Sequence, residues 1–466
     1  MYSDDTIAAI ATALSESGIG IIRVSGSMAK EITNKIFVGP SGKRIIDKMQ
    51  THTIKYGYVI SLDSTEDSFR DNIIDECLVS YMQGPKSFTG EDVVEINCHG
   101  GVFVVKKVLS EVLRAGARLA DPGEFSKRAF LNGRMDLTEA EAVMDIISSK
   151  SDSSLKASIN QLSGNISKKI KELREDILYN IAFIESALDD PEHISLDGYD
   201  EKITGLLEKW IYEIDKLIRS NDSGKFLREG INTVLLGKPN AGKSSVMNLL
   251  LGQDRAIVTD IAGTTRDTLE EYIKFGNIGL NLVDTAGIRD TENTVEQIGV
   301  DRARKAAENA DLIIYVVDST DLNNNITKGY IDLMNSFSNK KGIVLLNKVD
   351  LGKNFEKIDF PYPVIEFSTV TGEGFDILKD TITDMFYKGL GSSSDEIVIT
   401  NIRHRNLLED CKKSLVNVQQ SVSMGMQEDF YSIDLMDAYS SLGKIIGEEI
   451  EDDLATEIFS KFCLGK

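Results

Sequence analysis

Proline is scarce in this chain, 7 in 466 residues, which excludes long Pro-rich linkers. No apolar run reaches about 18 residues, so neither a transmembrane helix nor a membrane partner is expected. Cysteine is scarce as well. Cys77, Cys98, Cys411 and Cys463 are scattered and form no C-x-x-C pair. That excludes a disulfide framework or a zinc site and fits a reducing, cytoplasmic setting. The opening Met1-Tyr2-Ser3-Asp4-Asp5 is acidic and does not read as a signal peptide. Basic charge is in deficit: Lys and Arg number 52, Asp and Glu 74, for a formal net charge of −22. Proteins that grip nucleic acid by counterion release present a basic face, so stand-alone RNA binding is disfavoured. If RNA is the substrate, a basic partner carries much of the grip. No internal repeat and no long low-complexity tract is found.

Hydrophobic residues at 41% and charged residues at 27% are ordinary for a soluble globular protein. The length calls for about two to four domains. Residues 1–120 alternate short β-rich runs, as in 19–24, 77–81 and 93–96, with helical patterns near 28–37 and 102–115. This predicts a small α+β domain. From 121 to 228 the pattern is helical: Ile166, Ile170, Leu173, Ile177, Ile181 and Ile184 mark one face, and the run breaks at Asp189-Asp190-Pro191-Glu192. Residues 229–389 alternate apolar strands, near 232–236, 279–283, 312–317, 343–346 and 363–367, with helices. Such alternation implies a mainly parallel sheet covered on both faces. Gly389 to Ser394 reads as a linker. Helical sequence then fills 390–466, with Leu435, Leu442, Ile446, Ile450, Leu454 and Ile458 expected on one face. The simplest arrangement is a discontinuous helical domain with the α/β domain inserted into it.

Gly237-Lys238-Pro239-Asn240-Ala241-Gly242-Lys243-Ser244 satisfies G-x4-G-K-[ST] between an apolar strand and a helix that runs on through Ser245. Glycines there let backbone N–H groups curl round phosphates, and the helix N-terminus adds its positive end. Lys243 is expected to reach the β- and γ-phosphates, and Ser244 to ligate Mg²⁺, which prefers hard oxygen ligands. A second Mg²⁺ ligand is expected from Thr265, within a first switch comprising Thr259, Asp260, Ile261, Ala262, Gly263, Thr264 and Thr265. Its hydroxyl completes the shell only while a γ-phosphate is present, which makes the segment a switch. Asp284-Thr285-Ala286-Gly287 ends another strand; Asp284 would hold the metal through water and the Gly287 amide would sense the γ-phosphate.

Asn347-Lys348-Val349-Asp350 follows the strand Ile343–Leu346. A carboxylate at Asp350 accepts from guanine N1–H and N2–H₂, a donor pair that adenine lacks, so such a site discriminates strongly. Lys348 would lay its stem along the purine. Ser368, Thr369 and Val370 fit the last guanine loop, usually S-A-K, with Thr and Val in place of Ala and Lys. Ras-like enzymes place a Gln after D-T-A-G to orient the attacking water. Here that position is Ile288, so hydrolysis needs another device. Arg289, Asp290, Glu292, Glu296 and Gln297 are the candidates, and spacing alone does not choose among them.

The five-part order resembles the TRAFAC class of P-loop GTPases. Segments outside it carry a narrower likeness: Asp5 to Thr12, Gly20 to Gly26, Ser87-Phe88-Thr89-Gly90-Glu91-Asp92, His99-Gly100-Gly101, Pro122 to Gly133, Asp284 to Arg289 and the terminal Phe462-Cys463-Leu464-Gly465-Lys466. Together they resemble the MnmE (TrmE) family of bacterial tRNA modification GTPases along nearly the whole chain. The resemblance implies a Ras-like GTPase domain that is Mg²⁺- and K⁺-dependent. K⁺ is then held by Asn240 and by backbone carbonyls of Thr259, Ile261 and Thr264, doing the electrostatic work of an arginine finger. The family's water-positioning acid lies in V-E-x-I-G, which selects Glu296. The N-terminal domain resembles a homodimerising module for a 5-formyl-tetrahydrofolate-type one-carbon carrier, with Arg23, Glu95 and Lys466 at matching ligand positions. Arg134 stands where the family has a Lys. Cys463 lies in the terminal motif and reads either as a reactive thiol or as a buried, inert one. An FAD-dependent partner, MnmG (GidA), is implied in a heterotetramer that modifies C5 of the wobble uridine of certain tRNAs. The alternative is a ribosome-assembly GTPase of the Era or Der kind, which predicts a basic KH-type module or tandem GTPase domains; neither is visible.

Overall fold

The computed structural model describes residues 5–64, 69–253, 270–275, 278–283, 304–322, 324–352, 359–387, 397–449, 452–463 and 465. The chain divides into two compact units, Met1–Met144 with Leu162–Arg174 and Leu442–Lys466, and Asp145–Gln161 with Glu175–Ser441.

The first unit is built on β1 (Ile7–Ile10), β2 (Ser17–Ser25), β3 (Phe37–Val38), β4 (Thr53–Ile60), β5 (Ile73–Met82), β6 (Val93–Gly100) and β7 (Arg118–Leu119). The sheet order is β3-β4-β5-β6-β2-β1-β7, antiparallel except where β7 joins β1. Period-two alternation decides which side chains face the core. Ile22 and Val24 of β2 and Val94 and Ile96 of β6 are buried with Ile32 and Ile36 of α1 (Ala29–Ile36) and Val105, Val108 and Val112 of α2 (Val102–Arg114). Arg23 and Glu95, directly opposite in register, therefore share the other face. There Ile7, Ala9, Ala120 and Phe125 form a smaller apolar cluster, with Phe88 against it. Phe125 comes from α3 (Glu124–Leu131). Leu137 and Ala140 at the start of α4 (Leu137–Ser148) pack with Phe459 and Phe462.

The C-terminal helical sequence does not keep the single face expected of it. Beyond the helix Ile402–Ser423, the described residues form two more, Asp429–Ile446 and Asp452–Ser460. Leu435, Leu442 and Ile446 are buried, but Leu454 is 45% exposed. Ile450 lies outside the described residues. The cause is Gly447, whose φ of 91° ends the first of these helices. A Cβ there would collide with the Phe130 ring.

In the second unit α5 (Asp152–Leu162) and α7 (Tyr199–Glu229) lie before the α/β segment and the helix Ile402–Ser423 after it. Trp210, Ile214 and Leu217 of α7 are buried, as are Leu408, Cys411 and Leu415 of the later helix. Lys412 pairs with Asp215 at 2.7 Å, and the Asn221 side-chain amide donates to the Ile399 carbonyl at 3.0 Å. Helical sequence on either side of the α/β segment is thus brought together. In α6 (Asn165–Asp189) all six residues of the expected apolar face are buried.

The α/β sheet contains β8 (Ile231–Leu236), β9 (Glu270–Phe275), β10 (Ile278–Val283), β11 (Leu312–Asp318), β12 (Lys341–Asn347) and β13 (Val364–Glu366), in the order β13-β12-β11-β8-β10-β9. All neighbours are parallel except β9 and β10. The five parallel strands lie where the apolar runs place them. Strand β9 was not anticipated: it is an antiparallel edge strand, and only Ile273 and Phe275 contribute buried apolar side chains. Val246 and Leu250 of α8 (Lys243–Gln253) join Leu378 and Ile382 of the helix Phe375–Tyr387 in the core on one face. Tyr330 and Met334 of the helix Asn324–Ser336 belong to the core on the other. No described helix is long and apolar enough to cross a membrane.

Candidate nucleotide site

Parallel strands end together, so the loops leaving β8, β11, β12 and β13 share one edge of the sheet. The glycine loop runs from β8 into α8, whose first residue is Lys243. Its backbone is unusual at two points: Asn240 has φ 65° and Gly242 φ 100°. The second conformation suits glycine alone. A Cβ on Gly242 would also collide with Nδ2 of Asn347. That atom donates to the Ala241 carbonyl at 3.0 Å, so the guanine loop and the glycine loop are joined directly. Oδ1 of Asn347 is buried and accepts no hydrogen bond from the described residues. The Lys348 ammonium crosses the same gap and donates to the Asn240 carbonyl at 2.8 Å.

Lys243 donates to the carbonyls of Gly237 at 2.7 Å and Lys238 at 2.8 Å. Burial disfavours its charge and lowers its pKa from the ordinary ammonium value. Ser244 and Ser245 follow, both exposed, in the first turn of α8. An exposed hydroxyl at a helix N-terminus, beside a loop that leaves no room for a Cβ, suits phosphate and a hard cation such as Mg²⁺.

Asp350 is exposed, and one of its carboxylate oxygens accepts from the buried Ser368 hydroxyl at 2.6 Å. Ser368 Oγ in turn accepts from the backbone N–H groups of Val370 and Thr371, each at 3.2 Å. This fixes the last loop against the carboxylate, while Thr369 is half-buried and the Val370 side chain stays 82% exposed. The glycine loop, Asn347-Lys348-Val349-Asp350 and the Ser368 loop are therefore in one place.

Two further residues belong to this cluster and lie in no recognised motif. The Tyr330 hydroxyl accepts from the Lys238 N–H at 3.1 Å and donates to the Val316 carbonyl at 3.2 Å, clamping the glycine loop to β11. Asp318 ends β11 and contacts Lys348 at 2.5 Å. A polar residue at the carboxyl end of a central parallel strand was the available signal for Asp318. Tyr330 sits in an amphipathic helix, where an aromatic reads as core.

Thr259, Asp260, Ile261, Ala262, Gly263, Thr264, Thr265, Asp284, Thr285, Ala286, Gly287 and Glu296 lie outside the described residues, as does Lys466. Of the expected K⁺ ligands, only Asn240 is described. Among the described residues no group of three His, Cys, Asp or Glu side chains is placed to hold a metal ion.

In the first unit, Arg23 Nε donates to Glu95 Oε1 at 2.9 Å, and Nη2 lies 2.8 Å from the same oxygen. Nη1 donates to the Gly465 carbonyl at 3.2 Å, next to the expected ligand Lys466. The guanidinium stands 5.2 Å from the Phe88 ring centre and 5.7 Å from that of Phe125. The Arg23–Glu95 pair thus lies beside two aromatic rings, whose faces favour a cation. Arg134 follows α3 with its side chain exposed and makes no hydrogen bond or ion pair with Arg23 or Glu95 among the described residues. Cys463 is exposed, which removes the buried reading of that thiol.

The family model for the MnmE helical domain matches residues 137–463, and that for the GTP-binding protein TrmE N-terminus matches 6–134. The tRNA modification GTPase MnmE of Lachnoclostridium phytofermentans is 49% identical over 466 residues, with 99% of each chain covered. Those of Alkaliphilus metalliredigens and Clostridioides difficile are 44% and 45% identical over 475 residues, with 100% of each chain covered. With likeness at that level from end to end, the chain belongs to the MnmE (TrmE) family of tRNA modification GTPases.

Proposed function

We propose that this chain binds GTP at the carboxyl edge of the β8–β13 sheet, hydrolyses it to GDP and phosphate, and couples that cycle to tRNA modification. One observation carries the reading: Asn347 and Lys348 of the guanine loop donate to the carbonyls of Ala241 and Asn240 in the phosphate loop. A base-selecting carboxylate and a phosphate cradle are thereby held in one frame.

The chain's own residues divide the work. Asp350, steadied by Ser368, offers its carboxylate to the two guanine donors. Lys348 lays its stem along the purine. Lys243 exchanges its two carbonyl partners for phosphate oxygens when nucleotide enters. Ser244, with Thr265, would hold Mg²⁺, and Asn240, with carbonyls of Thr259, Ile261 and Thr264, would hold K⁺. When bound, these cations supply positive charge at the β- and γ-phosphates. Glu296 orients the attacking water in place of the missing Gln.

The N-terminal unit is read as a homodimerising module that takes a 5-formyl-tetrahydrofolate-type carrier at Arg23, Glu95 and Lys466. Arg134 is kept as a fourth contact that would have to reach in from an exposed position. With the FAD-dependent MnmG (GidA), in a heterotetramer, the chain adds a carboxymethylaminomethyl-type group to C5 of the wobble uridine of certain tRNAs in the cytoplasm. The names of the full-length relatives support the tRNA role. The Era or Der alternative is not favoured, because the two matching family models are both of the MnmE kind and together span 6–134 and 137–463.

The test is Asp350→Asn. Affinity for GTP falls on the order of a hundredfold while xanthosine triphosphate binds better; undiminished GTP binding would end the guanine assignment. Nucleoside analysis of tRNA from cells lacking this chain tests the tRNA role, and an unaltered wobble uridine would refute it.

A further inference from the structure

Asp318 is bound into the nucleotide site without belonging to any of its motifs. It pairs in register with Asn347 at the ends of the adjacent strands β11 and β12. Its Oδ2 lies 2.5 Å from the Lys348 ammonium, and its Oδ1 accepts from the Thr320 N–H at 2.9 Å and the Thr320 hydroxyl at 2.7 Å. The carboxylate is thus held from behind by its own turn and presents one oxygen forward. Lys348 is anchored by three features at once: a left-handed backbone with φ 68°, Asp318 on one side and the Asn240 carbonyl on the other.

We propose that Asp318 is a positioning residue for guanine-nucleotide binding: it neutralises and aims the Lys348 ammonium so that the lysine stem lies along the purine. The inference rests on the nucleotide reading above. A lysine in this position without a counter-charge would turn to solvent or to the nearby phosphates, because its side chain has many rotamers and its ammonium is strongly hydrated. Asp318 removes both options. Burial works to raise the carboxyl pKa, but the hydrogen bonds from Lys348 and Thr320 outweigh it and hold the group below its ordinary value. The carboxylate therefore stays charged at neutral pH. Because the same contact would serve ground state and transition state alike, its loss should fall on binding.

The experiment is a double-mutant cycle on the full chain, read with the fluorescent nucleotide mant-GDP and with GTPase kinetics. Asp318→Asn keeps the shape of the turn and is expected to raise the mant-GDP Kd about tenfold. The KM for GTP should rise in step, with kcat moving less than about twofold. Lys348→Met weakens binding at least as much. In the Lys348→Met background, Asp318→Asn changes Kd less than about twofold, because the partner it aims is gone. Asp318→Glu, which restores the charge, recovers part of the lost affinity. A full additive loss in the Lys348→Met background, or a wild-type Kd for Asp318→Asn, overturns the proposal. Failure of the wild-type chain to bind mant-GDP would instead overturn the nucleotide reading and this inference with it. If Asp318→Asn does not fold, Thr320→Val provides the second arm: it loosens the carboxylate from behind and should weaken mant-GDP binding about threefold. An unchanged Kd for Thr320→Val overturns the proposal.

Discussion

Arg23 meets a carboxylate, whereas among the described residues Lys243 donates to two carbonyl oxygens. The first cation is neutralised by the fold itself, since β2 and β6 place Glu95 opposite it whether or not a ligand is present. The second is half-buried and meets carbonyl dipoles among the described residues, and desolvation lowers its pKa from the ordinary ammonium value. On the proposed reading, anionic phosphate would gain more at Lys243 than a folate-type ligand would at Arg23, where it would have to share the guanidinium with Glu95.

Mutations can break or sharpen this contrast. The largest effect is expected from Gly242→Ala. It forces an L-residue into φ 100° and drives a methyl group into Asn347. Mant-GDP affinity should fall at least about a hundredfold, with the first unit intact by limited proteolysis; binding within twofold of wild type would show that the loop is not held as described. Glu296→Ala should cut kcat by about 10²-fold with little change in nucleotide affinity. A normal kcat would return the choice to the other acids and amides after Ile288. Hydrolysis in K⁺ should exceed that in Na⁺ at equal ionic strength by about tenfold, and equal rates would remove the alkali cation from the site. Arg23→Ala leaves Glu95 unpaired beside two aromatic rings and should cost about 1–3 kcal/mol in denaturant unfolding, without altering mant-GDP binding. A change in nucleotide affinity would count against reading Arg23 and Lys243 as parts of two separate sites. The smallest effect belongs to Val370→Lys, which restores the usual lysine at a side chain 82% exposed; unfolding should shift by less than about 0.5 kcal/mol.

The same contrast explains what could be read in advance. The phosphate loop is eight consecutive residues, Gly237 to Ser244, whose backbone shape is written in their own types. Strand β8 before it follows from an apolar run, and helix α8 after it from the helix-forming stretch that follows Lys243. Asn347, Lys348 and Asp350 were legible for the same reason. The Arg23–Glu95 pair spans 72 residues, and only the register of β2 against β6 makes them partners; residue types alone leave two ordinary surface charges, and family likeness alone singled them out. Asp318 and Tyr330 escaped because each acts through another residue and carries no spacing of its own. Strand β9 escaped because an edge strand has few buried apolar side chains to announce it. The C-terminal face was misread because periodicity was carried across Gly447, where the chain turns and restarts its helix.

Gly242 and Asn347 have a consequence for anyone who would redesign this pocket. Position 347 lies in the loop proposed to read the base, and its amide occupies the space that a side chain at 242 would need. The two loops proposed to read purine and phosphate thus share a wall with no slack. A variant library that changes the preferred base while leaving the glycine loop fixed will explore only those solutions that keep an asparagine-sized amide in that wall.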